Sequence, residues 1–186
     1  MKKRLVIFDC FGVIFGEIGP RIVRKYAKDG DDVASIKEKL FVPADLGQIT
    51  YDELITSIAE YFNVTAQTVY DDWQSFVKLN EELVSLIEKI RETATVALLS
   101  NASKGFVESL FEKYNLTRLF DEMVISCNIG MAKPDKEIYK YCVSRFECEF
   151  DEIYMIDDNA VNIDGLETIG ITPVLFESND SVRKLL

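Results

Sequence analysis

The chain contains no histidine among its 186 residues. Ser-His-Asp and Cys-His catalysis are therefore excluded, and so is any histidine metal site. Chemistry falls to carboxylates, lysine, hydroxyls or a metal held by oxygen. Cysteine is scarce: Cys10, Cys127, Cys142 and Cys148, with no CxxC spacing. These read as small apolar fillers and as reduced thiols of a cytoplasmic protein. No apolar run is long enough to span a bilayer. The start, MKKRLVIFDC, is basic then apolar, but Asp9 breaks it too soon for a signal peptide. Positive charge is also short, with 21 Lys and Arg against 32 Asp and Glu, a net charge of −11. Such a chain repels nucleic-acid backbones and anionic lipid, so neither is expected as a partner. A phosphate ester can still bind where a metal and a lysine reverse the field locally.

What is present is a series of short apolar runs. Residues 4–8, 95–99, 122–126, 152–156 and 171–176 read as five strands covered on both faces. Helical patterns lie between them. Ser103 is placed to cap one whose inward face carries Phe106, Val107, Leu110, Phe111 and Tyr114. Pro134 suits the first turn of another, with Ile138, Tyr141, Cys142 and Phe146 inward. From residue 80 on, the alternation predicts an α/β doubly wound parallel sheet. Residues 16–78 contain no strong strand. They read as a small helical cap inserted after strand one, with Thr50 and Glu53 as a capping box, and the core is residues 1–15 and 79–186. No repeat or flexible linker stands out.

Ligands of open parallel sheets bind beyond the carboxyl ends of the strands. Asp9 and Gly12 follow strand one there, Ser100 and Asn101 strand two, Lys133 strand three, and Asp157 with Asp158 strand four. Each alone has a plain structural reading: a cap, a turn residue or a solvated lysine. Together they put three carboxylates, a hydroxyl and a lysine at one edge. Three acids in one crevice take up protons or bind a cation. Oxygen ligands without nitrogen or sulfur favour Mg²⁺. A remaining carboxylate can attack phosphorus.

The sequences FDCFGVIF, LLSNAS, AKPD and IDDNAVN, in this order, resemble the four motifs of the haloacid dehalogenase-like hydrolases. GMAKPDKEIY with IDDNAVNIDG is most similar to the branch holding the alpha-D-glucose-1-phosphate phosphatases and the phosphatase domain of epoxide hydrolases. The resemblance implies a Rossmann-like core and a Mg²⁺-dependent phosphatase. Asp9 would be the nucleophile and a metal ligand. The backbone carbonyl of Phe11 would be another ligand, with Asp158 binding directly and Asp157 directly or through water. Ser100 and Asn101 would hold the phosphoryl group, and Lys133 would neutralise it. The expected substrate is a small phosphorylated metabolite, with sugar 1-phosphates first, for a monomer or homodimer.

Phe11 departs from the pattern, because most phosphatases of the family carry an aspartate there as general acid and base. Three readings follow. The protein hydrolyses phosphates with good leaving groups; or it is a 2-haloacid dehalogenase, since those enzymes carry an aromatic residue here; or it is a binding or regulatory protein that lost turnover. The Asp157–Asp158 pair argues against the dehalogenase, which uses no metal. Glu17 is a candidate to replace the acid. Trp73 and Phe76 read as cap core, and Arg21, Arg24 and Lys25 as a solvated helix face or an anion-recognising one.

Overall fold

A computed structural model describes residues 3–186. Five strands, β1 (Arg4–Phe8), β2 (Thr95–Ser100), β3 (Glu122–Ile125), β4 (Glu152–Asp157) and β5 (Thr172–Leu175), form one sheet. Their order is β3-β2-β1-β4-β5, and every pairing is parallel. Parallel pairing aligns all the carboxyl ends at one edge, with β1 central. Five helices lie between β1 and the rest: α1 (Gly19–Tyr26), α2 (Val33–Leu40), α3 (Val42–Asp45), α4 (Tyr51–Phe62) and α5 (Ala66–Phe76). The later connections carry α6 (Glu81–Ile90), α7 (Phe106–Lys113), α8 (Ser126–Ile129), α9 (Lys136–Ser144), α10 (Ala160–Ile163) and α11 (Asn179–Arg183).

The strands feed two cores because successive side chains point to opposite faces. Val6, Phe8, Val96 and Leu98 pack on one face with α6, α7 and the inserted helices. Leu5, Ile7, Ala97 and Leu99 pack on the other against Ile138, Tyr139 and Cys142 of α9. The inserted helices carry their own start signals. Thr50 accepts from Glu53 N while the Glu53 carboxylate accepts from Thr50 N, so the capping box forms. Asp32 caps α2 and Thr65 caps α5.

The structure departs from the expected elements in several places. Ser126 leaves the third strand and opens α8, because its hydroxyl turns to accept from Ala102 N at 3.1 Å. Ser103 does not cap α7. Gly105, at φ +81°, takes the N-cap position, and Ser103 Oγ is buried without a partner. Pro134 lies outside α9, which starts at Lys136 because the Asp135 carboxylate accepts from Glu137 N. Inward on α9 are Ile138, Tyr139 and Cys142, while Tyr141 and Phe146 are only half-buried. No helix among the described residues is long and apolar enough to cross a membrane.

Candidate active site

The chain turns out of β1 at Asp9, whose amide still donates to Ile156 O at 2.9 Å and so fixes it beside β4. Its Oδ1 accepts from Cys10 N at 2.6 Å. Gly12, at φ +92°, lets the chain double back, and Gly12 N donates to Phe15 O at 2.7 Å. A Cβ at Gly12 would lie 2.1 Å from Asp158 Oδ2, so glycine is needed for space as well as conformation. On the next strand, Asp157 closes β4 and Asp158 follows it.

Lys133 comes from the loop before α9 and is buried. Its Nζ reaches Asp9 Oδ1 at 2.8 Å and Asp157 Oδ2 at 2.6 Å. Asn101, just after β2, clamps that loop: its Oδ1 accepts from Lys133 N at 2.8 Å, and its Nδ2 donates to Lys133 O at 2.9 Å. Asp157 is fully buried and also accepts from Asn159 N at 2.8 Å and from Asn162 Nδ2 at 3.0 and 3.1 Å. Asp157 therefore anchors the ammonium, while Asp9 and Asp158 face a chamber of about 470 Å³. Ser100 is fully buried beneath that floor, and its hydroxyl points toward the Asn101 carbonyl at 3.5 Å.

One ammonium serves three acids. Oxygens of Asp9, Asp157 and Asp158 all lie within 4.8 Å of one another. Burial pushes the Asp9 carboxyl up to about 8, against the pull of Lys133. Burial, then the charges of Asp157 and Glu17, raise Asp158 to about 6. Burial disfavours the Lys133 ammonium, but Asp9 and Asp157 outweigh it and hold its pKa above the usual lysine value. The carboxylates are thus short of positive charge, and their donor set is oxygen alone. Both facts fit a hard divalent cation.

The chamber roof comes from the inserted helices: Ile18, Val23, Phe41, Leu54 and Trp73, with Lys37, Arg24 and Asp45 among them. Phe11 forms the wall, stacked on Phe106 at 5.7 Å between ring centroids. Glu17 reaches the chamber, but its carboxylate pairs with Arg24. Arg21 lies over the Phe76 ring at 4.7 Å and Lys25 pairs with Asp72, so neither lines the chamber. Cys10 is buried beside Asp9, and burial pushes its thiol up. The structure thus gathers Asp9, Phe11, Asn101, Lys133 and Asp158 on the wall and keeps Ser100 and Asp157 behind it. Asn159, Asn162 and the Asn101 side-chain clamp were not foreseen as site elements. Asn159 and Asn162 lie inside IDDNAVN, two and five residues after Asp157, where a helix start can turn back onto the strand end.

A protein-family model described as "Hydrolase: haloacid dehalogenase-like hydrolase" matches residues 3–170. The chain belongs to the haloacid dehalogenase-like hydrolases. Among curated relatives of this HAD-like chain is the drimenol cyclase drtB of Aspergillus calidoustus, 26% identical over 147 residues, covering 75% of this chain and 28% of that protein. The pyrimidine 5'-nucleotidase YjjG of Escherichia coli is 27% identical over 146 residues, covering 72% of this chain and 64% of its own. The chain therefore spans less than two thirds of either relative. A HAD family enzyme of Bacteroides thetaiotaomicron, crystallised with magnesium and inorganic phosphate, is 26% identical with a TM-score of 0.71, covering 94% of both chains.

Proposed function

We propose that the protein is a Mg²⁺-dependent phosphatase that hydrolyses a small phosphate monoester through an aspartyl-phosphate at Asp9. The observation that carries this is the chamber floor: a carboxylate at the end of β1, an ammonium 2.8 Å from it, and two further acids in the same cluster. Asp9, the Phe11 carbonyl and Asp158 would hold the cation, with Asp157 behind them. When bound, the cation offsets the negative charge of the acids and of the phosphate. Asp9 attacks phosphorus opposite the leaving oxygen. Lys133 keeps Asp9 oriented and meets the phosphoryl oxygens, with the Asn101 backbone N–H donating to them and the Ser100 hydroxyl, turned to the Asn101 carbonyl in this structure, rotating to join it. Most of the rate comes from positioning and charge neutralisation. Residues 16–78 act as the cap over a core of 1–15 and 79–186, so that α1–α5 shield the reaction and meet the leaving group. The magnesium and phosphate of the Bacteroides enzyme and the nucleotidase activity named for YjjG support this reading.

Phe11 favours a second reading, a binding protein that kept the site and lost turnover, because a phenyl ring transfers no proton. Phosphate release from p-nitrophenyl phosphate separates the two. The phosphatase needs Mg²⁺, stops with EDTA and loses all release in Asp9→Asn. A silent wild type with bound Mg²⁺ and phosphate supports the binding protein. Chloride release from 2-chloropropionate without metal would overturn both.

A further inference from the structure

An alkoxide leaving group needs a proton, and position 11 has none to give. The chamber wall narrows where it comes from. The chain has no histidine, and among the described residues no tyrosine or cysteine lines the chamber. Lys133 is held charged between Asp9 and Asp157. The carboxyl groups on the wall are Asp9, Glu17, Asp45 and Asp158. Asp9 is the nucleophile, Asp158 belongs to the acid cluster and Glu17 is paired with Arg24. Asp45 is left among the carboxyl groups, on the part of the roof that α3 supplies, while Lys37 is a solvent-exposed amine and Ser103 a hydroxyl too weakly acidic to donate near neutral pH. We infer that Asp45 donates the proton to the leaving oxygen, in place of the acid that Phe11 displaces. This rests on the phosphatase reading above.

The placement of Asp45 is fixed from the core. It ends α3, which packs against α8. Two residues on, Gly47, at φ +72°, approaches the Cys127 carbonyl so closely that a Cβ would fall 2.3 Å from it. The segment is thereby pinned to α8 as well as to its neighbouring helices. Lys37 of α2, Lys133 of the floor and the Cys127 thiol of α8 are the ionisable groups that act on Asp45 or feel its charge. Burial pushes its carboxyl up to about 7, against the two lysines. Near neutral pH it holds a proton in a large fraction of molecules, which suits a general acid.

The steps balance. An Asp9 oxygen bonds to phosphorus as the phosphorus–oxygen bond to the leaving group breaks. The Asp45 proton passes to that oxygen, giving a neutral alcohol, an Asp45 carboxylate and a phosphorylated Asp9. The Asp45 carboxylate then takes a proton from water as the water oxygen attacks phosphorus and the bond between phosphorus and the Asp9 oxygen breaks, which frees phosphate and restores the Asp9 carboxylate and the Asp45 acid.

The test compares benzyl phosphate, whose alkoxide needs a proton, with p-nitrophenyl phosphate, whose phenolate does not. Asp45→Asn is expected to lower kcat/KM on benzyl phosphate ~10²–10⁴-fold and on p-nitrophenyl phosphate by less than about tenfold. Asp45→Glu is expected to restore part of the benzyl activity. In the wild type, an alkaline limb set by a group near 7 appears with the benzyl ester alone, a readout that requires no variant to fold. Equal losses on both substrates, or identical pH limbs, overturn the role of Asp45 and leave the phosphatase standing. A wild type that turns over neither ester with Mg²⁺ overturns the phosphatase, and Asp45 with it.

Discussion

Titrating the metal-free protein with Mg²⁺ at two pH values tests the charge state of the floor. Asp9 is raised to about 8 and Asp158 to about 6, so below those values a cation must displace a proton from each. For Asp9 alone, moving from pH 8 to pH 6 weakens the apparent affinity about 50-fold. Asp158 adds at most a factor of about two, reduced by solvent screening at this half-buried group. A 50-fold change is about 2 kcal/mol, or ~4–8 °C in the melting shift for a domain of this size. Without the cation the sign reverses. Both folded-state values lie above the unfolded carboxylate value of 3.8, so the stability held by the protonated forms is lost as pH rises through about 6 and about 8. Melting curves with saturating Mg²⁺ and with EDTA at both pH values read the two effects together. A Mg²⁺ shift that is equal at both, or larger in acid, refutes the assignment of these carboxylates as the cation's competitors for protons.

Three further outcomes follow from the same geometry. Gly12→Ala places a Cβ on Asp158 in a left-handed backbone, costs about 1–2 kcal/mol by melting, and abolishes the Mg²⁺ shift. Asn162→Ala removes the two Nδ2 contacts to buried Asp157, leaving it Lys133 and the Asn159 amide; about 1–3 kcal/mol is lost in a denaturant titration, and phosphate release falls without a matching rise in KM. Trp73→Ala removes a buried ring that also lines the chamber; stability falls by ~3–5 kcal/mol and KM for aryl phosphates rises.

The sheet was legible because each strand is a short apolar run, and β1 appears over Arg4–Phe8 as read. The site was legible because parallel strands deliver Asp9, Ser100 and Asp157 to one edge whatever the loops do. What failed was local. Ser103 looks like a cap by composition, but Gly105 can take a positive φ that serine resists, and so the helix starts later. Spacing also does not show which side of the floor a residue occupies, and Ser100 and Asp157 lie behind it. Asp45 was not singled out, because nothing around VPAD resembles a motif. Its meaning comes from α3 docking on α8, a contact between segments about eighty residues apart that no local pattern encodes.

Phe11 is the position where the sequence invites the wrong repair. Restoring an aspartate there resembles completing a motif, but the ring belongs to a continuous aromatic wall. Phe11 stacks on Phe106 at 5.7 Å, Phe106 stacks on Tyr51 of α4 at 4.8 Å, and Trp73 of α5 meets Phe106 edge-on at 5.8 Å. That wall ties the α/β core to the inserted helices. Phe11→Asp removes one stacked ring, worth about 0.5–1.5 kcal/mol beyond its buried area. It also adds a carboxylate to a floor where Asp9 and Asp158 already share too little positive charge. The expected result is a lower melting temperature and no gain in turnover of benzyl phosphate, while Phe11→Leu keeps more of the stability. A rise of about 10²-fold or more in kcat/KM for Phe11→Asp would refute this and return the proton transfer to position 11.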